Sequence, residues 1–129
     1  MIVRNYSECN EIFWGTESFN YSLEEDSLWN VQEYWRLEYF LIKLCQSLEG
    51  EQVLHRELAA NLYYLGNSIN NLINWHRDPL DAYKMKNFNE DEAEECRDRL
   101  NHIMRILWGR ITLHDSDNIV NSNPLFREV

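Results

Sequence analysis

The stretch Tyr34-Trp35-Arg36-Leu37-Glu38-Tyr39-Phe40-Leu41-Ile42 is apolar almost all round when wound into a helix. A helix of that kind is central, with neighbours on more than one side. Outward from it, Leu28, Val31, Trp35, Ile42, Cys45 and Leu48 trace a stripe at three- and four-residue steps, joined by Leu41 and Leu44. The spacing predicts a helix over 27–48, capped by Asp26 or Ser27 and stopped at Gly50 in a left-handed conformation. The aromatic run from Trp29 to Phe40 reads as core.

Two further helices follow from the same period. Leu54, Leu58, Leu62, Leu65, Ile69, Leu72 and Ile73 predict one over 52–75, ended by Asp78-Pro79, because the residue before a proline is pushed out of the helical region. Gly66 interrupts it, and close packing against the bulky first helix accounts for the glycine. Ala93, Cys96, Leu100, Ile103, Leu107 and Ile111 predict a third helix from Asn89 to about Gly109. Asn89 with Glu92 forms a capping-box pattern, and Glu90, Asp91 and Glu92 suit the positive end of the helix dipole. Between them, 77–88 reads as a surface connector anchored by Met85 and Phe88. Residues 1–26 are acidic and aromatic without a clean period, and their aromatics predict a segment packed on the domain. Residues 112–129 read as a polar, poorly ordered tail. The expectation is a single all-α domain over 1–129: a bundle of three long helices plus shorter N-terminal elements.

Composition agrees with that class and excludes others. The chain has 129 residues, 44% hydrophobic and 26% charged, with four glycines and two prolines. One ordinary domain of this size buries a core without staples, and so few turn residues disfavour a sandwich or barrel. The net charge is −10, from 22 acidic against 12 basic residues. Phosphate backbones and anionic membrane surfaces are bound through Lys and Arg, so neither nucleic acid nor membrane is an expected partner. Acidity allows steered association with a cationic protein, or serves solubility alone. Cys9, Cys45 and Cys96 are odd in number and widely spaced; they suggest neither a disulfide framework nor a zinc site but buried thiols in a reducing compartment. With no signal peptide behind Met1 and no long apolar run, the expected location is cytoplasmic.

Motifs for chemistry are sparse. Glu51 and His55, and Asp98 and His102, each share a helix face, but the Glu-x-x-His pairs of a di-iron bundle are missing and no metal or other cofactor is expected. No nucleophile elbow, phosphate loop or metalloprotease motif occurs. Carboxylate pairs abound without specificity, which leaves glycosidase-type chemistry ranked low. The densest charge feature is Glu90-Asp91-Glu92-Ala93-Glu94-Glu95 with Asp98. On a helix, Asp91, Glu94, Glu95 and Asp98 share a face, with Arg97 and Arg99 beside it. Glu24, Glu25 and Asp26 repeat the sign at the start of the first helix. Both stretches read either as solvated surface or as a docking surface for a basic partner.

At Glu24-Glu25-Asp26-Ser27-Leu28-Trp29, at Glu33-Tyr34-Trp35, and at His76-Arg77-Asp78-Pro79-Leu80-Asp81-Ala82-Tyr83-Lys84-Met85-Lys86-Asn87, the chain resembles bacterial polymorphic-toxin immunity proteins, in particular immunity protein family 41. The similar stretches span about residues 22–105. Asp78, Asp81 and Tyr83 match the family's pattern, although a structural turn explains them equally well, and the segment after Trp108 departs from it. The resemblance implies a contact-dependent-inhibition type of immunity protein that binds and neutralises a cognate toxin domain, often a nuclease, and it carries over no catalytic residues. The partner-binding candidates are Glu24, Glu25, Asp26, Asp91, Glu94, Glu95 and Asp98. The alternatives are a helical interaction adaptor unrelated to toxins and a carboxylate-based hydrolase. The oligomeric state is left open.

Overall fold

The structure, a computed structural model, describes residues 7–127, so Tyr6, the reading of a leader at Met1 and the last two residues of the expected tail lie outside it. It is all-α, with several long helices packed as one domain. Three of them are the periodic ones: α3 (Val31–Ser47), α4 (Arg56–Arg77) and α5 (Glu90–Leu107). They are preceded by α1 (Ser7–Trp14) and α2 (Phe19–Glu24) and followed by a 3-10 turn (His114–Ser116), α6 (Asp117–Ser122) and α7 (Pro124–Arg127).

Side-chain pairs give the directions. Trp29, just before α3, donates to Glu92, and Glu38 of α3 accepts from Arg99, so this stretch meets residues about sixty positions later and α3 and α5 run parallel. Asn70 meets Asn101 and Asn74 meets Arg97, so α4 is antiparallel to α5. Trp14 bonds Asn61 and Ser68 bonds Asn20, so α1 and α2 run along α4. Phe13 meets Phe40 and Phe19 meets Tyr34, so they oppose α3. The result is a four-cornered bundle in the order α1/α2, α3, α5, α4, with two short helices filling one corner. The aromatic N-terminal segment is thus a structural wall, with Cys9, Phe13, Phe19 and Leu23 buried in the common core.

The helix ends correct several expectations. α3 starts at Val31, not near Ser27, and its cap is Asn30, whose side chain accepts from the Glu33 amide. The residues before it are pulled straight: the Lys86 amide donates to the Ser27 carbonyl at 2.7 Å, and the Trp29 amide to the Lys86 carbonyl at 2.9 Å. Ser27, at φ +49°, makes the turn. α4 starts at Arg56 rather than Gln52 and ends where Asp78 goes extended before Pro79. Gly66 faces Met104 of α5, which a Cβ at that position would meet at 3.6 Å, and not the first long helix.

Asn89 caps α5 by accepting from the Glu92 amide at 3.0 Å. The return half of the capping box is replaced, because the Glu92 carboxylate accepts from Trp29 Nε1. α5 ends at Leu107 with the Gly109 amide donating to Ile106 and the Arg110 amide to Arg105. That is a left-handed C-terminal stop with Gly109 at φ +77°. In the connector, Met85 is buried and Phe88 packs on Trp29 and His76.

The largest correction concerns 112–129. Through residue 127 this segment is not a tail but a strap of short helices across α3 and α5. Asn123 is fully buried, and Phe126 stacks at 4.7 Å on Tyr39. The reason lies in the polar groups beneath it.

Candidate functional site

Glu38 of α3 is completely buried and Arg99 of α5 is 9% exposed. Arg99 Nε donates to Glu38 Oε2 at 2.8 Å and Nη2 to Oε1 at 2.5 Å, a bidentate ion pair. Tyr34 Oη donates to Oε2 at 2.7 Å and Asn123 Nδ2 to Oε1 at 3.1 Å. Two more guanidinium donors reach the Ile119 carbonyl at 2.7 Å and Ser122 Oγ at 2.5 Å, and the guanidinium lies over the Trp35 ring. Burial works against the Arg99 charge, but the hydrogen bonds and charge of Glu38 outweigh it and raise its pKa. Tyr34 is pushed well up by burial and then by Glu38, so it stays a neutral donor. All four lone-pair directions of the carboxylate are taken. No position is left for a substrate, so this centre is structural: it fastens α3, α5 and the C-terminal strap together. Arg99 therefore does not flank the acidic face; it points inward.

The signal for this pair was present in the sequence. Glu38 stands between Tyr34, Leu41 and Cys45, and Arg99 between Cys96, Leu100 and Ile103. Opposite charges at core registers of two predicted helices are candidates for each other.

The turn after α2 and the start of α5 meet at one pole of the bundle, and the α5 carboxylates run from there to mid-helix at Asp98. α2 ends at Glu24, whose carboxylate accepts from Asn20 at 3.1 Å, and Glu25 and Asp26 are exposed in the turn that follows. The bridge of Leu28 to Lys86 and the Trp29–Glu92 hydrogen bond tie that turn to the start of α5. Tyr83 Oη donates to the Leu23 carbonyl from the connector, and burial and then Glu24 push the phenol to about 12. On α5, Asp91, Glu95 and Asp98 are exposed along one face. Glu94 differs from them: it is bound by Arg77 at 2.8 Å and Arg97 at 3.3 Å, and Arg77 also holds Glu90 at 2.6 Å. The hydrogen bond from Arg77, then the charge of Arg97, hold the Glu94 carboxyl below the usual range. All seven candidate carboxylates are exposed, but Glu94 is engaged by the protein's own arginines.

Two concavities lie elsewhere. One of about 440 Å³ opens at the opposite pole between Leu48, Val53, Leu54, Ile106, Trp108 and Leu113. Its carboxylates are Glu49 and Glu51, and burial pushes the Cys45 thiol at its wall to about 12, which makes it a poor nucleophile. The other, about 380 Å³, runs between α1 and α3 over Ile12, Phe19, Leu37 and Phe40, with Glu11, Glu17, Glu33 and Arg36 at its edge. Among the described residues no group of three or more His, Cys, Asp or Glu gathers as metal ligands. Two histidines are built into the scaffold. His76 Nδ1 accepts from the Met85 amide at 2.8 Å, and His102 Nε2 pairs with Ser116 Oγ at 2.8 Å. Burial lowers both pKa values, aided by Lys84 beside His76 and Arg105 beside His102. Among the described residues no helix is long and apolar enough to cross a membrane. No protein-family model matches the chain, and no curated protein or solved structure matches it.

Proposed function

We propose that this chain acts by binding rather than by catalysis, as an immunity protein that neutralises a cationic toxin domain in the cytoplasm of the cell it protects. The observation that carries the reading is the approach of exposed Glu24, Glu25 and Asp26 to the start of α5, held by Trp29–Glu92 and the Ser27–Lys86 pairing, with Asp91, Glu95 and Asp98 exposed along that helix. Enzymes that act on nucleic acids carry cationic sites, and a rigid anionic pole is complementary to such a site. Complementarity of this kind acts chiefly on association rate and partner choice. The saturated Glu38–Arg99 centre and the inert Cys45 thiol favour a scaffold over an active site.

The test is the triple variant Asp91→Lys/Glu95→Lys/Asp98→Lys, which leaves the Glu94 ion pairs alone. Against the toxin domain encoded beside it, association at low salt should slow by about tenfold or more, and its salt dependence should flatten. The helical spectrum should stay that of the parent. An association rate equal to the parent's at low salt would remove this pole from the interface.

A further inference from the structure

His76 lies in the last turn of α4, where its Nδ1 accepts from the Met85 amide of the connector at 2.8 Å. Its ring also stacks on Phe88, with centroids 4.0 Å apart, and Phe88 packs edge-on against Trp29. Between those two contacts stands Lys86, whose amide donates to the Ser27 carbonyl and whose carbonyl accepts from the Trp29 amide. His76 therefore grips, on either side of Lys86, the segment that ties down the turn after α2.

Accepting requires a lone pair. With Nδ1 facing an N–H, the ring proton is on Nε2, and a second proton can go only to Nδ1. An imidazolium would set two donors against each other across that 2.8 Å and break the bond. His102 provides the contrast. Ser116 Oγ donates its single proton to the Thr112 carbonyl at 3.0 Å, so His102 Nε2 must donate to Ser116 at 2.8 Å. A second proton on His102 leaves that bond whole.

The charges around His76 mostly oppose its protonation. Lys84 of the connector is fixed near it, with Nζ donating to the Asp78, Asp81 and Tyr83 carbonyls, and Arg77 follows it on α4. Glu90 of α5 favours the charged ring, but Arg77 engages that carboxylate at 2.6 Å. Burial, then Lys84, hold the ring below the ordinary value of 6.5.

We propose that His76 is a pH-sensitive latch: protonation of Nδ1 breaks the Met85 bond and loosens residues 85–88, and with them the Lys86 pairing that fixes the acidic turn 24–26. The sign follows from linkage. The opened connector leaves an ordinary histidine that takes a proton near 6.5, whereas the closed one resists it. Closure is therefore full above that pH and weakens as pH falls toward the lowered value. One proton limits the change in the opening equilibrium to about tenfold per pH unit. The latch belongs to the connector and stands whether or not the acidic turn meets a toxin.

The test is NMR of the full chain from about pH 7.5 to about pH 5, spanning the histidine range. At the upper end the His76 ring nitrogens should show the proton on Nε2. Amide exchange, expressed as protection factors that divide out its intrinsic pH dependence, should report the opening. Met85 should lose protection by about threefold or more across the range. His76→Asn, whose carboxamide oxygen can accept from Met85 but does not titrate, should hold that protection nearly constant. His102→Gln should keep the parental pH dependence. The proposal is overturned by a proton on Nδ1 at neutral pH, by Met85 protection that does not change in the parent, or by a loss that persists in His76→Asn. The first two readings need no variant.

Discussion

Glu38 and Arg99 show how much a single side chain can carry in a small domain. A buried ion pair is not by itself a strong source of stability, since desolvation offsets most of the attraction, but removing one partner strands the other. Arg99→Met should therefore cost about 3–5 kcal/mol, measured by urea unfolding, because it leaves a carboxylate facing only Tyr34 and Asn123. The double variant Glu38→Leu/Arg99→Met should regain more than half of that loss. Equal stability of the single and double variants would mean that Arg99 contributes only packing. At this scale residues must be read in pairs, for a definite reason. A charged residue in isolation defaults to solvent, and only its partner, 61 residues away, reverses that default. Glu94 shows the same effect on the surface, where it looks like its neighbours until Arg77 is brought to it.

For the elements, existence was legible, and so were the ends at Asp78-Pro79, Asn89 and Gly109, while the starts of α3 and α4 were not. Hydrophobic period alone locates α3, α4 and α5, because each must bury one stripe. The start of α3 moved because distant backbone intervened: Lys86 straightens Ser27 to Trp29. The strap over 114–127 was missed because its helices are too short to show a period, and their order comes from hydrogen bonds to Glu38 and Arg99. Gly66 is the converse case, a residue whose presence no close approach demands. A Cβ there would meet Met104 Cε at an ordinary 3.6 Å, and the glycine lies in the interior of α4. Gly66→Ala should raise stability by about 0.5–1 kcal/mol through helix propensity and a less flexible unfolded chain, read as a higher urea midpoint at unchanged slope. A loss would show that the Met104 end cannot shift.

In the whole molecule, a four-cornered bundle built on three long helices works because α1 and α2 close the fourth side. The aromatic content of 1–26 signalled that they pack; which wall they form was not legible, since it rests on pairs such as Trp14–Asn61 across 47 residues. The acidic pole is similar: the sign of each stretch is plain in the sequence, but their meeting depends on Trp29 and Glu92. One continuous core predicts one cooperative opening. Cys45 on α3 and Cys96 on α5, 4% and 3% exposed, should react with a thiol reagent only through global unfolding, and with the same urea dependence. Earlier labelling of Cys45 would mean that the end of α3 beside the 440 Å³ cavity opens independently.

Chain order separates the buried ion pair from its cover. Glu38 and Arg99 belong to α3 and α5, whereas the Ile119 carbonyl, Ser122 and Asn123 come to them from a segment that follows both. In any state where the strap is lifted, the charge pair is open to water on one side, satisfied by solvent instead of protein. Docking of the strap expels that water.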